Sequence, residues 1–175
     1  ILLGMDYSFE NSGHNLGSVP LITFRNKVIL VVDKINNSFL QNQAFLEYVN
    51  ITSNSIFMRS YSNYDIVNSP DTQELTDYNK TGMTIVFPDV GIDPANPSAM
   101  LARAYGCNFV AMRYQLVDNF LMENAEFFDR CGYAFCLKPA DLRYQPVTIP
   151  TPTPQNPAYS YATRTTSTDY YSFKS

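Results

Sequence analysis

The fold is decided by two stretches near the end of the chain: Tyr105-Gly-Cys-Asn-Phe-Val-Ala-Met-Arg-Tyr-Gln115 and, further on, Leu137-Lys-Pro-Ala-Asp-Leu-Arg143. The first stretch has the pattern of a turn followed by a buried strand that ends in polar residues. The residues between the two stretches have the spacing of an amphipathic helix. The second stretch then ends that unit at a Lys-Pro pair. Together they predict one βα unit of a parallel sheet.

The same alternation of strand and helix extends upstream of this unit. Polar capping residues precede the helices, and Pro or Gly residues end several of the elements. Four strand–helix units joined by short connections indicate an α/β fold with a parallel sheet. Four units cannot close an eight-stranded barrel, so the pattern leaves either a small open α/β sheet or half of a barrel. The predicted strands are residues 27–33, 56–62, 83–87 and 108–115, and the predicted helices are residues 39–49, 70–79, 97–105 and 119–130.

Composition limits the classes of protein. The 175 residues are 45% hydrophobic with a net charge of −4, which suits one domain with a core and gives no basic surface for nucleic acid. No apolar run approaches the ~18 residues of a membrane span. The chain starts at Ile1 without a secretory pattern, so we expect a fragment or processed piece of a cytoplasmic protein. Its cysteines, Cys107, Cys131 and Cys136, lack metal-type spacing, and we expect three reduced, mostly buried thiols.

The two ends of the chain differ from its middle. Residues 1–23 are punctuated by glycines and are predicted to be a connecting segment. Residues 146–175 hold five of the eleven prolines and no glycine, among many Thr, Ser and Tyr residues. This composition predicts a disordered tail, with a docking or phosphorylated tail as the functional alternative.

The decisive stretches resemble a known family. Gly106-Cys-Asn-Phe-Val-Ala-Met-Arg-Tyr-Gln115 resembles the last barrel strand of eukaryotic-type phosphoinositide-specific phospholipase C. Cys131-Gly-Tyr133 and Leu137-Lys-Pro139 resemble the Cys-Gly-Tyr-x-Leu-Lys-Pro segment that follows, although three residues separate the pieces here where the family has one. Phe24-Arg-Asn-Lys-Val-Ile-Leu30 is similar to the strand that opens the second half of the family barrel. The resemblance implies that residues 24–145 are the C-terminal half of a TIM-type (β/α)8 barrel.

The resemblance also implies an activity. The family cleaves phosphatidylinositol lipids at a membrane surface into diacylglycerol and inositol phosphate, with a metal, usually calcium, that activates the attacking hydroxyl. Its two catalytic histidines and the carboxylate metal ligands belong to the N-terminal half of the barrel. That half is therefore an expected partner, and no catalytic or metal-ligating residue is assigned to this chain. Its one histidine, His14, lies in a glycine-punctuated connector with the wrong surrounding motif.

The C-terminal half of the family barrel recognises the lipid head group. Ser60 aligns with a Ser of the family that contacts inositol, and Phe87 aligns with a Tyr. Arg113, which replaces an Asn on the last strand, is a cation that could contact a phosphate. The predicted substrate-binding residues are therefore Ser60, Phe87 and Arg113.

Other head-group positions have lost their charge. Ile85 stands where the family has Arg, and Val31 and Asp33 stand where it has Lys. A ring phosphate needs cationic partners, and strand alternation predicts that Arg59 points away from Ser60. Two hypotheses follow: an enzyme for unphosphorylated phosphatidylinositol, or a catalytically dead lipid-binding or scaffold protein. Asp33, Asp65 and Asp89 follow strands, and we expect them to serve as helix caps or loop charges.

Overall fold

The parallel pairing expected from the alternating pattern is present. A computed structural model describes residues 2–3, 15–34, 37–156, 159 and 164–174 of the chain. It divides into two units, Ile1–Gln145 and Pro146–Ser175. The first unit is a mixed α/β fold whose sheets are parallel. Its strands are β1 (Leu30–Val32), β2 (Val49–Thr52), β3 (Met58–Ser62), β4 (Met83–Phe87) and β5 (Phe109–Val110), and its helices are α1 (Gln43–Leu46), α2 (Asn63–Val67), α3 (Thr72–Thr81), α4 (Ala99–Ala104) and α5 (Asn119–Cys131).

The strands form two small sheets. In one, β1 lies beside β2, with Val31 opposite Ile51. In the other, the order is β3-β4-β5, and Met58 lies opposite Met83 at the start of the paired strands. Each pair of neighbours within the larger sheet is joined through helices, as parallel pairing requires.

Apolar side chains of β3 and β4 are buried on both sides of their sheet. On one side Val86 packs with residues of the covering helices: Ile66, Leu75 and Ala102. On the other side, at the start of the strands, Met58 and Met83 pack with Leu16, Phe24 and Ile51. Full burial of a side chain such as Met58, which is 0% exposed, stabilises the fold by about 1.5–3 kcal/mol.

Side-chain caps set the starts of the longer helices. The Asp71 carboxylate accepts a hydrogen bond from the backbone N–H of Glu74 at the start of α3. Asp118 does the same for Leu121 at the start of α5. The helix α5 ends at Gly132, whose φ of 73° lies in the left-handed region that glycine adopts without strain. The sequence pattern predicted the Asp118 cap, whereas it placed the cap of α3 at Ser69, two residues before the Asp71 cap of the structure.

Several elements differ from the prediction. The helix predicted over residues 39–49 is a short 3-10 turn (Asn37–Gln41) followed by α1, and Val49 begins β2. The helix α2 was not predicted. The last strand is limited to Phe109–Val110, so Arg113 lies in the loop after β5 rather than on the strand. Backbone pairing and burial, which local propensity does not report, decide these boundaries.

The prediction of three reduced thiols is wrong for two of them. Cys131 and Cys136 form a disulfide, whereas Cys107 is a free and buried thiol as expected. Burial raises the pKa of the Cys107 thiol to about 11. The two bonded residues lie at the end of α5 and in the loop that follows it.

The second unit contains a hairpin. Strands β6 (Thr165–Ser167) and β7 (Ser172–Lys174) pair antiparallel and are exposed along their length. The Tyr171 and Phe173 rings stack with centroids 6.0 Å apart. The disorder expected for residues 146–175 stays a prediction. In the part of the chain that the structure describes, no helix has the length and apolar character needed to cross a bilayer.

Candidate functional site

The larger sheet has one face that is only partly covered. Because side chains alternate along a strand, β3 and β4 direct one set of residues to the helices and the other set to the opposite face. At the carboxyl end of the strands that opposite face is half-buried, in contrast to the fully buried Val86 on the helix side. We call this surface the open face. It consists of Ser60, Ser62, Ile85 and Phe87.

The open face holds two of the three predicted substrate-binding residues. Ser60 pairs with Ile85 and Ser62 pairs with Phe87, so Ser60 and Phe87 are diagonal neighbours on the same face. The Ser62 hydroxyl is used locally, because it accepts a hydrogen bond from the backbone N–H of Asp65 and caps α2. Ser60 makes no hydrogen bond through its side chain to the residues that the structure describes. Its hydroxyl can therefore bind a polar group placed on this face.

The third predicted residue, Arg113, lies elsewhere. Its guanidinium forms an ion pair with Asp93 at 2.8 Å and donates a hydrogen bond to the carbonyl of Pro94. Both partners belong to the loop between β4 and α4. The structure therefore brings Ser60 and Phe87 together and uses Arg113 to hold a loop.

A buried asparagine, which sequence analysis missed, organises the same region. Asn96 is 2% exposed. Its side chain accepts a hydrogen bond from the backbone N–H of Arg113 at 2.6 Å and donates to the Leu116 carbonyl at 3.0 Å and to Asp118 at 3.1 Å. The loops after β4 and β5 are thereby joined through one amide group. Asn96-Pro97-Ser98 resembled an ordinary helix start, and no local signal marked the asparagine as a link.

A second polar link joins the start of α2, which follows β3 directly, to the loop after β4. Asp89 accepts hydrogen bonds from the backbone N–H of Tyr64 at 2.7 Å and from the Asn63 side chain at 3.3 Å. The other end of the Asn63 amide accepts from the backbone N–H of Ser98 at 3.2 Å. The start of α2 and the loops after β4 and β5 are therefore held together by side-chain hydrogen bonds at the carboxyl ends of the strands. This is the edge where α/β folds with parallel strands bind ligands.

The orientation predicted for Arg59 is confirmed. Its guanidinium donates two hydrogen bonds to the Glu74 carboxylate, at 2.7 and 2.8 Å, and lies 3.7 Å from the Tyr78 ring centroid. Both partners belong to α3, on the side of the sheet away from Ser60. The Glu74 hydrogen bonds raise the pKa of Arg59 and lower that of Glu74. Arg59 therefore supplies no charge to the open face.

The three strand-end aspartates act as expected. Asp65 accepts from the backbone N–H of Ser62 and completes the capping box of α2. Asp33 accepts from the Ser53 hydroxyl at 2.7 Å, and Asp89 binds the start of α2. The described residues contain no group of three or more His, Cys, Asp or Glu side chains that could hold a metal ion. His14 lies outside the described residues.

Comparison with known proteins found no relative of this chain. A scan against protein-family models found no match, and searches of curated proteins and of solved structures found none either.

Proposed function

We propose that residues 24–145 are the C-terminal, head-group-binding half of a phosphatidylinositol phospholipase C barrel. The complete protein cleaves phosphatidylinositol lipids to diacylglycerol and inositol phosphate, and acts at the cytoplasmic surface of a membrane. The observation that carries the proposal is the open face, on which Ser60 and Phe87 are diagonal neighbours at the carboxyl end of parallel strands whose opposite side is covered by helices. In a (β/α)8 barrel the corresponding face is the interior, and its carboxyl end is the active-site end.

The side chains of the open face suit an inositol ring. The Ser60 hydroxyl can donate to or accept from a ring hydroxyl. The Phe87 ring offers an apolar surface to the C–H side of the ring. Ile85 lies between the two on the same face and adds no polar group.

The charge of this face favours an unphosphorylated head group. None of the residues that β3, β4 and β5 direct to this side is Lys or Arg. Arg59 pairs with Glu74 on the helix side, and Arg113 pairs with Asp93. A ring phosphate would lose its hydration without gaining a cationic partner, which is unfavourable.

The proposal assigns the chemistry of the reaction to the N-terminal half of the barrel. The described residues do not form a calcium site, so the calcium ligands, like the two histidines, would belong to that half. The role of this chain is to hold the head group and its 2-hydroxyl in position.

A catalytically dead lipid-binding or scaffold protein is the second candidate. The observation that favours it is the loss of charge on the open face, with Ile85 in place of an arginine. The two candidates bind the same lipid head group but differ in whether an upstream half carries histidines and carboxylates. Translation of the transcript upstream of the Ile1 codon distinguishes them.

The test uses the protein that contains this chain together with its upstream half, and it compares two lipids as substrates. We expect hydrolysis of phosphatidylinositol in vesicles to exceed that of its bisphosphate. We expect Ser60→Ala to weaken phosphatidylinositol binding by about three- to ten-fold, the loss of one hydrogen bond. Ser167→Ala, at an exposed serine of the second unit, is the matched control.

Three results would contradict the proposal. One is a preference for the bisphosphate, which would require cations that the open face does not have. Another is equal binding of vesicles with and without phosphatidylinositol. The third is a Ser60→Ala variant that binds as the parent protein does. Binding without hydrolysis, together with an upstream half that lacks histidines, would establish the lipid-binding candidate instead.

A further inference from the structure

The disulfide lies where α5 ends and the chain turns back. Cys131 is the last residue of α5, and Cys136 follows after four residues. Within this loop Tyr133 and Phe135 are 76% and 65% exposed. The bond therefore closes a small surface loop, and its two half-buried cysteines are accessible to small molecules.

The residues after Cys136 form a segment with few attachments. We call Leu137–Leu142 the return segment. Its Lys138 ammonium donates a hydrogen bond to the carbonyl of Asn79 at the end of α3, at 2.8 Å. The Leu142 side chain lies against the turn at Gly106. Leu137 is 79% exposed, so little apolar burial holds the start of this segment in place.

Besides the backbone, the disulfide ties the start of this segment to the end of α5. The buried environment of Lys138 lowers its pKa, and its contact with Asn79 is made through one carbonyl. A segment held by one polar contact, a half-buried leucine and the packing of one 3-10 turn (Ala140–Leu142) against α3 opens more easily than a buried element of the sheet. A bond between Cys136 and the end of α5 restricts that opening, because Cys131 is part of a 13-residue helix.

We propose that Cys131 and Cys136 are a reversible thiol–disulfide exchange site for a small thiol of the glutathione class, and that oxidation fixes the return segment against α3. In the reduced protein one cysteine thiolate attacks glutathione disulfide, forms a mixed disulfide and releases one glutathione thiolate. The second cysteine thiolate then displaces the second glutathione. The protein loses two electrons and two protons, and one glutathione disulfide becomes two glutathiones.

Two features of the fold make the exchange reversible. The exposed loop residues leave a path by which a small thiolate can approach the sulfur atoms. After reduction, the Gly132 cap still turns the chain at the end of α5, because its backbone N–H donates to the Phe128 carbonyl at 2.8 Å. The cap keeps the two thiols near each other, and this proximity favours renewed closure.

The experiment equilibrates the protein in glutathione buffers from strongly reducing to strongly oxidising, followed by alkylation of free thiols and mass spectrometry. We expect the pair to change from dithiol to disulfide within this range. Hydrogen exchange of the amides of the return segment should be about ten-fold slower in the oxidised protein, because the bond ties Cys136, the residue just before the segment, to the end of α5 and so limits local opening. Cys107→Ser should leave the transition unchanged, and Cys136→Ser should abolish both the transition and the slower exchange.

Each of the other outcomes overturns the proposal. A pair that stays oxidised in the most reducing buffer is a permanent structural bond. A pair that stays reduced in the most oxidising buffer is not an exchange site. Equal exchange rates of the return segment in the two states would show that the bond does not hold it. The wild-type comparison decides these points even if a cysteine variant fails to fold.

Discussion

Replacement of Asn96 tests the polar link between the loops after β4 and β5. The Asn96 amide accepts from the backbone N–H of Arg113 and donates to the Leu116 carbonyl and to Asp118. Asn96→Ala removes all of these hydrogen bonds and leaves a backbone N–H and a backbone carbonyl without their partners. The half-buried Asp118 carboxylate keeps its hydrogen bonds from the backbone N–H groups of Leu121 and residue 96, so the loss falls mainly on the two backbone groups.

The magnitude follows from those two groups. A buried polar group left without a hydrogen bond costs about 1–3 kcal/mol. Arg113 and Leu116 are half-buried, so water compensates part of the loss. We therefore expect Asn96→Ala to lower the free energy of unfolding by about 3 kcal/mol, a large part of the ~5–15 kcal/mol available to a domain.

A second variant gives the experiment a pH signature. Asn96→Asp keeps the acceptor for Arg113 but places a carboxylate oxygen against the Leu116 carbonyl and the Asp118 carboxylate. We expect at least the same loss at neutral pH. Burial and the negative charge of Asp118 raise the pKa of the introduced carboxyl in the folded state. Its protonation stabilises the fold, so the deficit relative to the parent should shrink as the pH falls toward about 4.

Urea unfolding followed by far-UV circular dichroism measures these differences. Asn68→Ala is the matched control, since Asn68 is exposed and donates one hydrogen bond to the Tyr64 carbonyl. We expect that control to lose about 0.5 kcal/mol, as surface substitutions do. A loss at Asn96→Ala no larger than at Asn68→Ala, or an Asn96→Asp deficit independent of pH, would refute the reasoning.

Three further predictions follow from single contacts. Thr52 has a buried hydroxyl without a partner among the described residues. Thr52→Val should therefore leave the free energy of unfolding in urea unchanged or raise it by up to about 1 kcal/mol, and a clear decrease would contradict this. Gly82→Ala should lower the free energy of unfolding by about 1–3 kcal/mol, because the added methyl group would lie 2.4 Å from the Tyr78 ring. Gly91→Ala is the control and should have no effect, because nothing lies within 4 Å of the added methyl group. Hydrogen bonds from the first amides of α5 lower the pKa of Asp118, so the stability that Asp118 contributes is present above its unfolded pKa of about 4 and is lost as the pH falls below it. Unfolding measured from pH 7 to pH 2 should therefore show that the deficit of Asp118→Asn disappears in acid.

The elements that were predicted well have local signals at both ends. The strand β4 runs from Met83 to Phe87 as predicted, because Gly82 and Pro88 limit an apolar run. The helix α5 begins after Asp118 and ends at Gly132, both of which are cap residues. In these cases the local chemistry and the tertiary structure favour the same boundary.

The elements that were missed depend on distant partners. Val49 completes the apolar pattern of the predicted helix over residues 39–49, but it begins β2 (Val49–Thr52) because that segment pairs with β1. Asn96 gains its role from the loop after β5, some 17 residues further along the chain. The spacing of Cys131 and Cys136 permitted a disulfide, yet a cytoplasmic interpretation favoured free thiols. Such features require positions in space, which a periodic pattern does not give.

The chemistry of the open face depends on the register of β3. Arg59 and Ser60 are adjacent, and a shift of the strand by one residue would exchange the faces to which they point. Arg59 is held on the helix side by two hydrogen bonds to Glu74 and by the Tyr78 ring, and Met58 is fully buried on the opposite side. These contacts oppose the shift from both sides of the sheet. The interaction that removes a cation from the open face is therefore also one that keeps Ser60 on it, which is the arrangement that the proposed binding of a neutral head group requires.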